Sequence, residues 1–146
     1  AIEGRLKDGG RLNCYWCSTQ RRTEFIKFAK ENGFNKIALG HHLDDILETL
    51  LMNMLYKGEF SGMPPFVPYE KYPVSVIRPL CYCEETEITE FVQEMGLECP
   101  SCKCIAAGNS NRRLIREQIE ALTMGKSTLK RNLFESMRHI RMDYLL

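Results

Sequence analysis

The stretch KIALGHHLDDILETLLMNML, Lys36 to Leu55, limits the possible folds more than any other part of the chain. Lys36–Gly40 reads as a short buried strand. Behind it Ile46, Leu47, Leu50, Leu51, Met54 and Leu55 recur at helical spacing. A strand, a short polar loop and an amphipathic helix in that order open an α/β unit. Asp44 or Asp45 falls in the first turn of the helix, where a carboxylate complements the dipole.

The flanking segments extend the pattern. Residues 1–13 read as a polar lead-in. A helix is expected from Ser18 to Gly33, with Phe25, Phe28 and Ala29 on one face and Ile26 beside them. Residues 57–73 hold Gly58, Gly62, Pro64, Pro65, Pro68 and Pro73, and read as a long irregular loop of the kind that often carries function. VSVIRPL is a second strand ending at Pro79. Glu84–Met95 reads as a helix with Ile88, Phe91, Val92 and Met95 inward, closed by Gly96. CPSCKC is a loop, followed by helices over Asn111–Thr123 and Ser127–Ile140. Two strands make a small sheet for this much helix, and parallel sheets usually have more. The expectation is a larger sheet whose first strands are missing.

The chain has seven cysteines, an odd number, and no secretion signal at its start. That argues against a disulfide scaffold and for a reducing cytoplasm. No apolar run is long enough to span a membrane. Cys14 and Cys17 form one C-x-x-C pair and Cys99 and Cys102 another, with Cys104 beside them. Cys81 and Cys83 are a closer pair. Two C-x-x-C pairs suit a tetrahedral zinc site, although zinc ribbons space their pairs far more tightly. Three or four thiolates can instead hold an iron–sulfur cluster. The plain alternative is buried or idle thiols.

Gly40–Asp45, GHHLDD, lies at a strand-to-helix turn, where α/β sheets bind ligands. Gly40 permits close backbone approach. Asp44 and Asp45 are the right type for Mg²⁺, and His41 and His42 for acid–base or metal chemistry. The competing reading makes one aspartate a helix cap and the histidines polar loop residues. MGKST, Met124–Thr128, shares G-K-S with a Walker A loop but lacks the earlier glycine and follows a helix. It reads as a helix–helix turn with Ser127 as N-cap.

Charge is unevenly spread. Residues 1–36 and 109–146 each carry eight Lys/Arg against four Asp/Glu, and residues 37–108 carry four against eleven. Basic ends can meet nucleic-acid phosphates or simply be solvated helix faces.

Taken in order, these motifs resemble a known family. C-x-x-C before the first helix, then GHHLDDILETL, GMPP, IRPL, a second cysteine cluster and NRR are similar to the tRNA 2-thiocytidine synthetases of the PP-loop ATP pyrophosphatase superfamily. The resemblance runs from about Ala1 to Ile140. It implies a Rossmann-like α/β fold (HUP-type) with a parallel sheet, N-terminal strands missing and C-terminal helices. Residues 1–96 would be a partial PP-loop domain, and 97–146 a cysteine loop with a helical segment.

The implied activity is ATP-dependent tRNA thiolation. A cytidine carbonyl oxygen is adenylated with release of pyrophosphate, and sulfur then displaces AMP. Asp44 and Asp45 would be catalytic, or contact ATP or Mg²⁺. Gly40, His41 and Arg78 would bind ATP. A [4Fe-4S] cluster would be held by Cys14, Cys17 and a third ligand from Cys99, Cys102 or Cys104. Arg21, Arg22, Arg112 and Arg113 would hold tRNA, and a cysteine desulfurase is the kind of sulfur donor expected. The S-G-G-x-D-S phosphate loop of the superfamily is not in this chain. The expectation is therefore a fragment or one half of a split enzyme, inactive alone, that pairs with the other half or with itself. A lysidine synthetase fits less well, since its chemistry needs no cysteine cluster. A zinc-knotted RNA-binding module is the alternative from another class.

Overall fold

The computed structural model describes residues 14–98 and 111–145. Its elements are helix α1 (Cys14–Glu31), strand β1 (Lys36–Ala38), α2 (Leu43–Lys57), β2 (Phe66–Pro68), β3 (Ser75–Ile77), α3 (Glu85–Glu94), α4 (Asn111–Thr123), α5 (Ser127–Ser136) and a 3₁₀ turn (Met142–Tyr144). They form two compact units. The first takes in described residues 14–40 and 65–79, and the second 41–64, 80–98 and 111–145. No helix among the described residues is long and apolar enough to cross a membrane.

In the first unit the strand order is β1-β3-β2. β1 runs parallel to β3, with Ile37 opposite Val76. β2 runs antiparallel to β3, with Val67 opposite the same Val76. The expected parallel sheet is thus a mixed one, and its third strand lies inside the segment read as an irregular loop. The prolines that suggested a loop explain its place, because a proline cannot donate to a ladder and is confined to edges. Pro68 closes an edge strand. The chain then turns through Tyr69–Val74, where the Tyr69 N–H donates to the Val74 carbonyl at 3.1 Å.

Helix α1 packs on β1. It takes in Cys14, four residues before Ser18, and ends at Glu31, with the chain turning away at Gly33, whose φ of 72° suits a residue without a side chain. Ala29 is buried, but Phe25 and Phe28 are 42% and 60% exposed. The three do not share a covered face, because three short strands cover only a narrow strip of the helix. Phe28 stacks instead on Phe34, centroids 6.2 Å apart.

The second unit is helical. Of the predicted stripe on α2, Ile46, Leu47 and Leu50 are buried and Leu51 is half-buried, and Leu43, outside that prediction, is buried with them. Leu43, Ile46 and Leu47 join Ile115 and Ile119 of α4, Phe134 of α5 and Cys81 in one core. Tyr82 meets Phe134 edge-on at 5.7 Å. Met54 and Leu55, expected inward, are exposed where α2 runs beyond this core. α4 has the bounds the sequence suggested.

α5 stops at Ser136 rather than Ile140, its last turn tightened by i to i−3 bonds from Met137 to Phe134 and from Arg138 to Glu135. Lys126 is the N-cap, and Ser127 is the first helical residue. Met124 and Gly125, φ 50° and 65°, make the turn between α4 and α5, so MGKST is a helix–helix connection. α3 also differs from expectation. Ile88 and Val92 are half-buried, and Phe91 and Met95 are exposed. At its first turn the Glu85 N–H donates to Asp44 Oδ2 at 2.7 Å and the Glu84 N–H to Glu87 Oε2 at 2.7 Å.

Candidate active site

Helix α2 begins immediately after GHH. His42 is its N-cap in extended conformation, φ −113° and ψ −179°. The His42 backbone N–H donates to Asp45 Oδ2 at 3.2 Å, the return arm of a capping box. The His42 ring lies between both carboxylates, with Nδ1 3.6 Å from Asp44 Oδ2 and Nε2 3.3 Å from Asp45 Oδ2.

Asp44 is held from three sides. Lys130 of α5 places Nζ 2.9 Å from Oδ1. The Glu85 N–H at the start of α3 donates to Oδ2 at 2.7 Å, and His42 faces the same oxygen. Burial pushes the Asp44 carboxyl up, but the neighbouring His42 ring, the Lys130 ammonium and the Glu85 amide together outweigh it and hold the group well below the usual carboxylate range. The Asp44 carboxylate facing the ring, stronger than the effect of burial, raises the His42 imidazole. Burial lowers the Lys130 amine, yet Asp44 and its neighbouring carboxylates leave it raised.

One turn further on, Glu48 is 1% exposed. Arg116 Nε lies 2.8 Å from its Oε1 and Arg112 Nε 3.0 Å from its Oε2. Arg112 also reaches Asp45 Oδ1 at 3.7 Å, and Arg116 reaches Glu85 Oε2 at 3.1 Å. At the N-cap of α3 the buried Glu84 accepts from Ser127 Oγ at 2.5 Å and from Arg131 Nε at 2.8 Å. Carboxylates from α2 and the α3 start thus meet cations from α4 and α5. Beside them a cavity of about 410 Å³ is lined by Asp44, Glu85, Thr86, Thr89, Arg116 and Lys130, among others.

Asp44, Asp45 and Arg112 are therefore brought together. Arg113 lies on the open side of α4, paired with Glu117 at 3.6 Å. His41 is half-buried beside His42 in the second unit, while Gly40 and the half-buried Arg78 belong to the first. The Arg78 backbone N–H donates to the Pro65 carbonyl at 2.9 Å. Arg21 and Arg22 are exposed on α1, where Arg22 Nε donates to the Ser18 carbonyl at 3.3 Å. Cys17 is an exposed free thiol on α1, one helical turn after position 14. Cys99, Cys102 and Cys104 lie outside the described residues. Cys81 is buried in the core and Cys83 is half-buried, so the third pair is split between two environments.

The residues fit the implied groups unequally. An exposed thiol at Cys17 is the donor type a cluster iron takes. The aspartate pair does not fit a directly bound Mg²⁺, because an ammonium and a backbone N–H take up both oxygens of Asp44, and His42 and Arg112 face Asp45. Sequence reasoning did not find Glu48, Glu84, Arg116, Lys130 or Arg131. The signal was present as charge inside apolar stripes: Glu48 next to Leu47, Arg116 next to Ile115, Lys130 four residues before Phe134.

This α/β chain, with its charged turn at the head of α2, matches the PP-loop domain family over residues 18–122. The chain belongs to that family. It is 36% identical to the tRNA-cytidine(32) 2-sulfurtransferase of Legionella pneumophila (strain Corby), over 94% of this chain and 49% of that protein. The protein of the same name from Polynucleobacter necessarius subsp. necessarius (strain STIR1) is 37% identical over 100% of this chain and 49% of its own. That from Coxiella burnetii (strain RSA 493 / Nine Mile phase I) is 33% identical over 94% and 54%. The chain spans about half the length of these relatives. Among solved structures, the U34-tRNA thiolase NcsA from Methanococcus maripaludis with its [4Fe-4S] cluster superposes with a TM-score of 0.72 at 19% identity, covering 93% of this chain and 46% of that one. That likeness establishes a shared fold.

Proposed function

We propose that this chain works as part of an ATP-dependent tRNA sulfurtransferase that replaces a cytidine carbonyl oxygen with sulfur. The observation that carries the reading is GHHLDD at the head of α2, inside a PP-loop domain that aligns with tRNA-cytidine(32) 2-sulfurtransferases over nearly the whole chain. The base oxygen attacks the α-phosphorus of ATP. A C–O–P linkage forms, the α–β phosphoanhydride breaks and pyrophosphate leaves. A sulfur nucleophile then adds at the carbon, and AMP departs with the oxygen.

Gly40, His41 and Arg78 serve the nucleotide, with the Arg78 guanidinium suited to phosphate. Asp44 and Asp45 are the catalytic carboxylates, held in position by His42, Lys130 and Arg112. Cys14, Cys17 and one of Cys99, Cys102 or Cys104 would hold a [4Fe-4S] cluster, which when bound would carry sulfide from the donor to the activated carbon. Arg21, Arg22 and Arg113 are exposed and can meet tRNA phosphates, and Arg112, half-exposed beside Glu48 and Asp45, can join them. Residues 1–96 carry the ATP side, and 97–146 the cysteine loop and helical segment. A cysteine desulfurase in the cytoplasm is a fitting source of sulfur.

The test is pyrophosphate release from ATP by the protein at the full length of its relatives, with and without tRNA. The proposal expects release that depends on tRNA and is lost in Asp45→Asn. Release that is indifferent to tRNA would reject it.

A further inference from the structure

We propose that Lys130 is a built-in counter-cation for Asp44: its ammonium fixes that carboxylate at the head of α2 and takes the place a divalent ion would otherwise fill beside the GHHLDD aspartates. Two adjacent carboxylates with an oxygen-rich surrounding are ordinarily a donor set for a hard divalent cation. Here Asp45, Glu85 and Glu120 add negative charge around Asp44, and His42, Arg116 and Lys130 answer it. Lys130 Nζ directly contacts Asp44 Oδ1, at 2.9 Å. Its second carboxylate, Glu120, is at 3.7 Å.

The residue is only 8% exposed. A buried lysine is costly unless its charge is paired, so burial and pairing are here one feature. An ammonium is a compact point charge with three donors and no acceptor. At this distance it fills the space in front of Oδ1, while the Glu85 N–H fills that in front of Oδ2. A tethered cation differs from an ion in one respect that matters: its occupancy does not vary with metal concentration. It also ties α5 to the first turn of α2, so the position of Asp44 depends on the packing of the C-terminal helices. The inference rests on the proposed function only in placing Asp44 on the nucleotide side.

Two measurements without ATP or tRNA test it, so failure of the thiolation reading would leave them intact. In the folded chain labelled with ¹⁵N-lysine, Lys130 should give a slowly exchanging ammonium signal that Asp44→Asn abolishes. Absence of a protected signal in the wild type, or its survival in Asp44→Asn, overturns the proposal. In Mn²⁺ titrations read by EPR, wild type and Lys130→Arg should leave the free-ion signal unchanged. Lys130→Met should deplete it saturably, and adding Asp44→Asn should restore it. Wild-type depletion that Asp44→Asn removes, or a folded Lys130→Met that gains no site, overturns the proposal. If Lys130→Met does not fold, the ammonium signal and its response to Asp44→Asn decide.

Discussion

Replacing Arg112 and Arg116 together by methionine should destabilise the helical unit far more than altering the carboxylate they share. Glu48 is 1% exposed and its two oxygens face the two guanidiniums at 2.8 and 3.0 Å. Without them a charge remains buried without an ionic partner, which costs on the order of 3–5 kcal/mol. Glu48→Gln leaves the opposite residue, two arginines whose side chains are already 47% and 48% exposed and can turn to water. Its cost should be about 1–2 kcal/mol, that of weakened hydrogen bonds.

The triple variant Glu48→Met/Arg112→Met/Arg116→Met removes the buried charge together with its two partners and should recover much of the loss. At roughly 2–4 °C per kcal/mol for a chain of this size, the double arginine variant should melt some 6–20 °C lower. Urea unfolding followed by the near-ultraviolet dichroism of Tyr82, packed edge-on to Phe134, reads this unit directly. A double arginine variant that costs less than Glu48→Gln would refute the reasoning.

Other outcomes follow from single contacts. Ile115→Ala, at a residue with 0% exposure in the centre of the core, should cost about 2–5 kcal/mol in urea unfolding. Leu122→Ala, at 62% exposure on the same helix, should stay within about 0.5 kcal/mol. A Cβ on Gly62 would lie 3.2 Å from Met137 Sδ and 3.4 Å from Ile46 Cγ2. The thioether can yield, so Gly62→Ala should be mild and Gly62→Val should cost about 1–3 kcal/mol by the same assay.

The pH dependence has two limbs. Raised above its ordinary 6.5, His42 contributes stability that is complete below that value and lost as pH rises through its folded value. Lowered below 3.8, Asp44 contributes stability present above that value and lost as pH falls through its folded value. Because the His42 shift comes first from Asp44, Asp44→Asn should flatten both limbs of the urea midpoint against pH, and His42→Gln chiefly the upper one.

The local pattern was legible where one residue property dominated. The apolar stripe of α2 and the bounds of α4 follow from periodicity, and GHHLDD was placed at the strand-to-helix turn by its composition. β2 was hidden because its prolines signal a loop, and only pairing with β3 makes Phe66–Pro68 a strand. The inward faces assigned to α1 and α3 assumed that every apolar stripe finds a cover. Phe28, Phe91 and Met95 show that periodicity gives a face but not its partner. Asp44 and Asp45 were found by type, while their partners, the Glu85 backbone N–H, Arg112 and Lys130, lie 41 to 86 residues further on in sequence. Only the packing of α4 and α5 on α2 brings them together.

The central claim is that ATP-dependent sulfur transfer to tRNA depends on a cluster that Cys17 helps to hold. Its most direct measurement is mass spectrometry of nucleosides from tRNA incubated anaerobically with ATP, a sulfur donor and the cluster-reconstituted protein at the full length of its relatives. The account predicts 2-thiocytidine in the wild-type reaction and its loss in a folded Cys17→Ser variant that still releases pyrophosphate. Equal 2-thiocytidine from Cys17→Ser, or none from a wild-type protein carrying iron and labile sulfide, would contradict it.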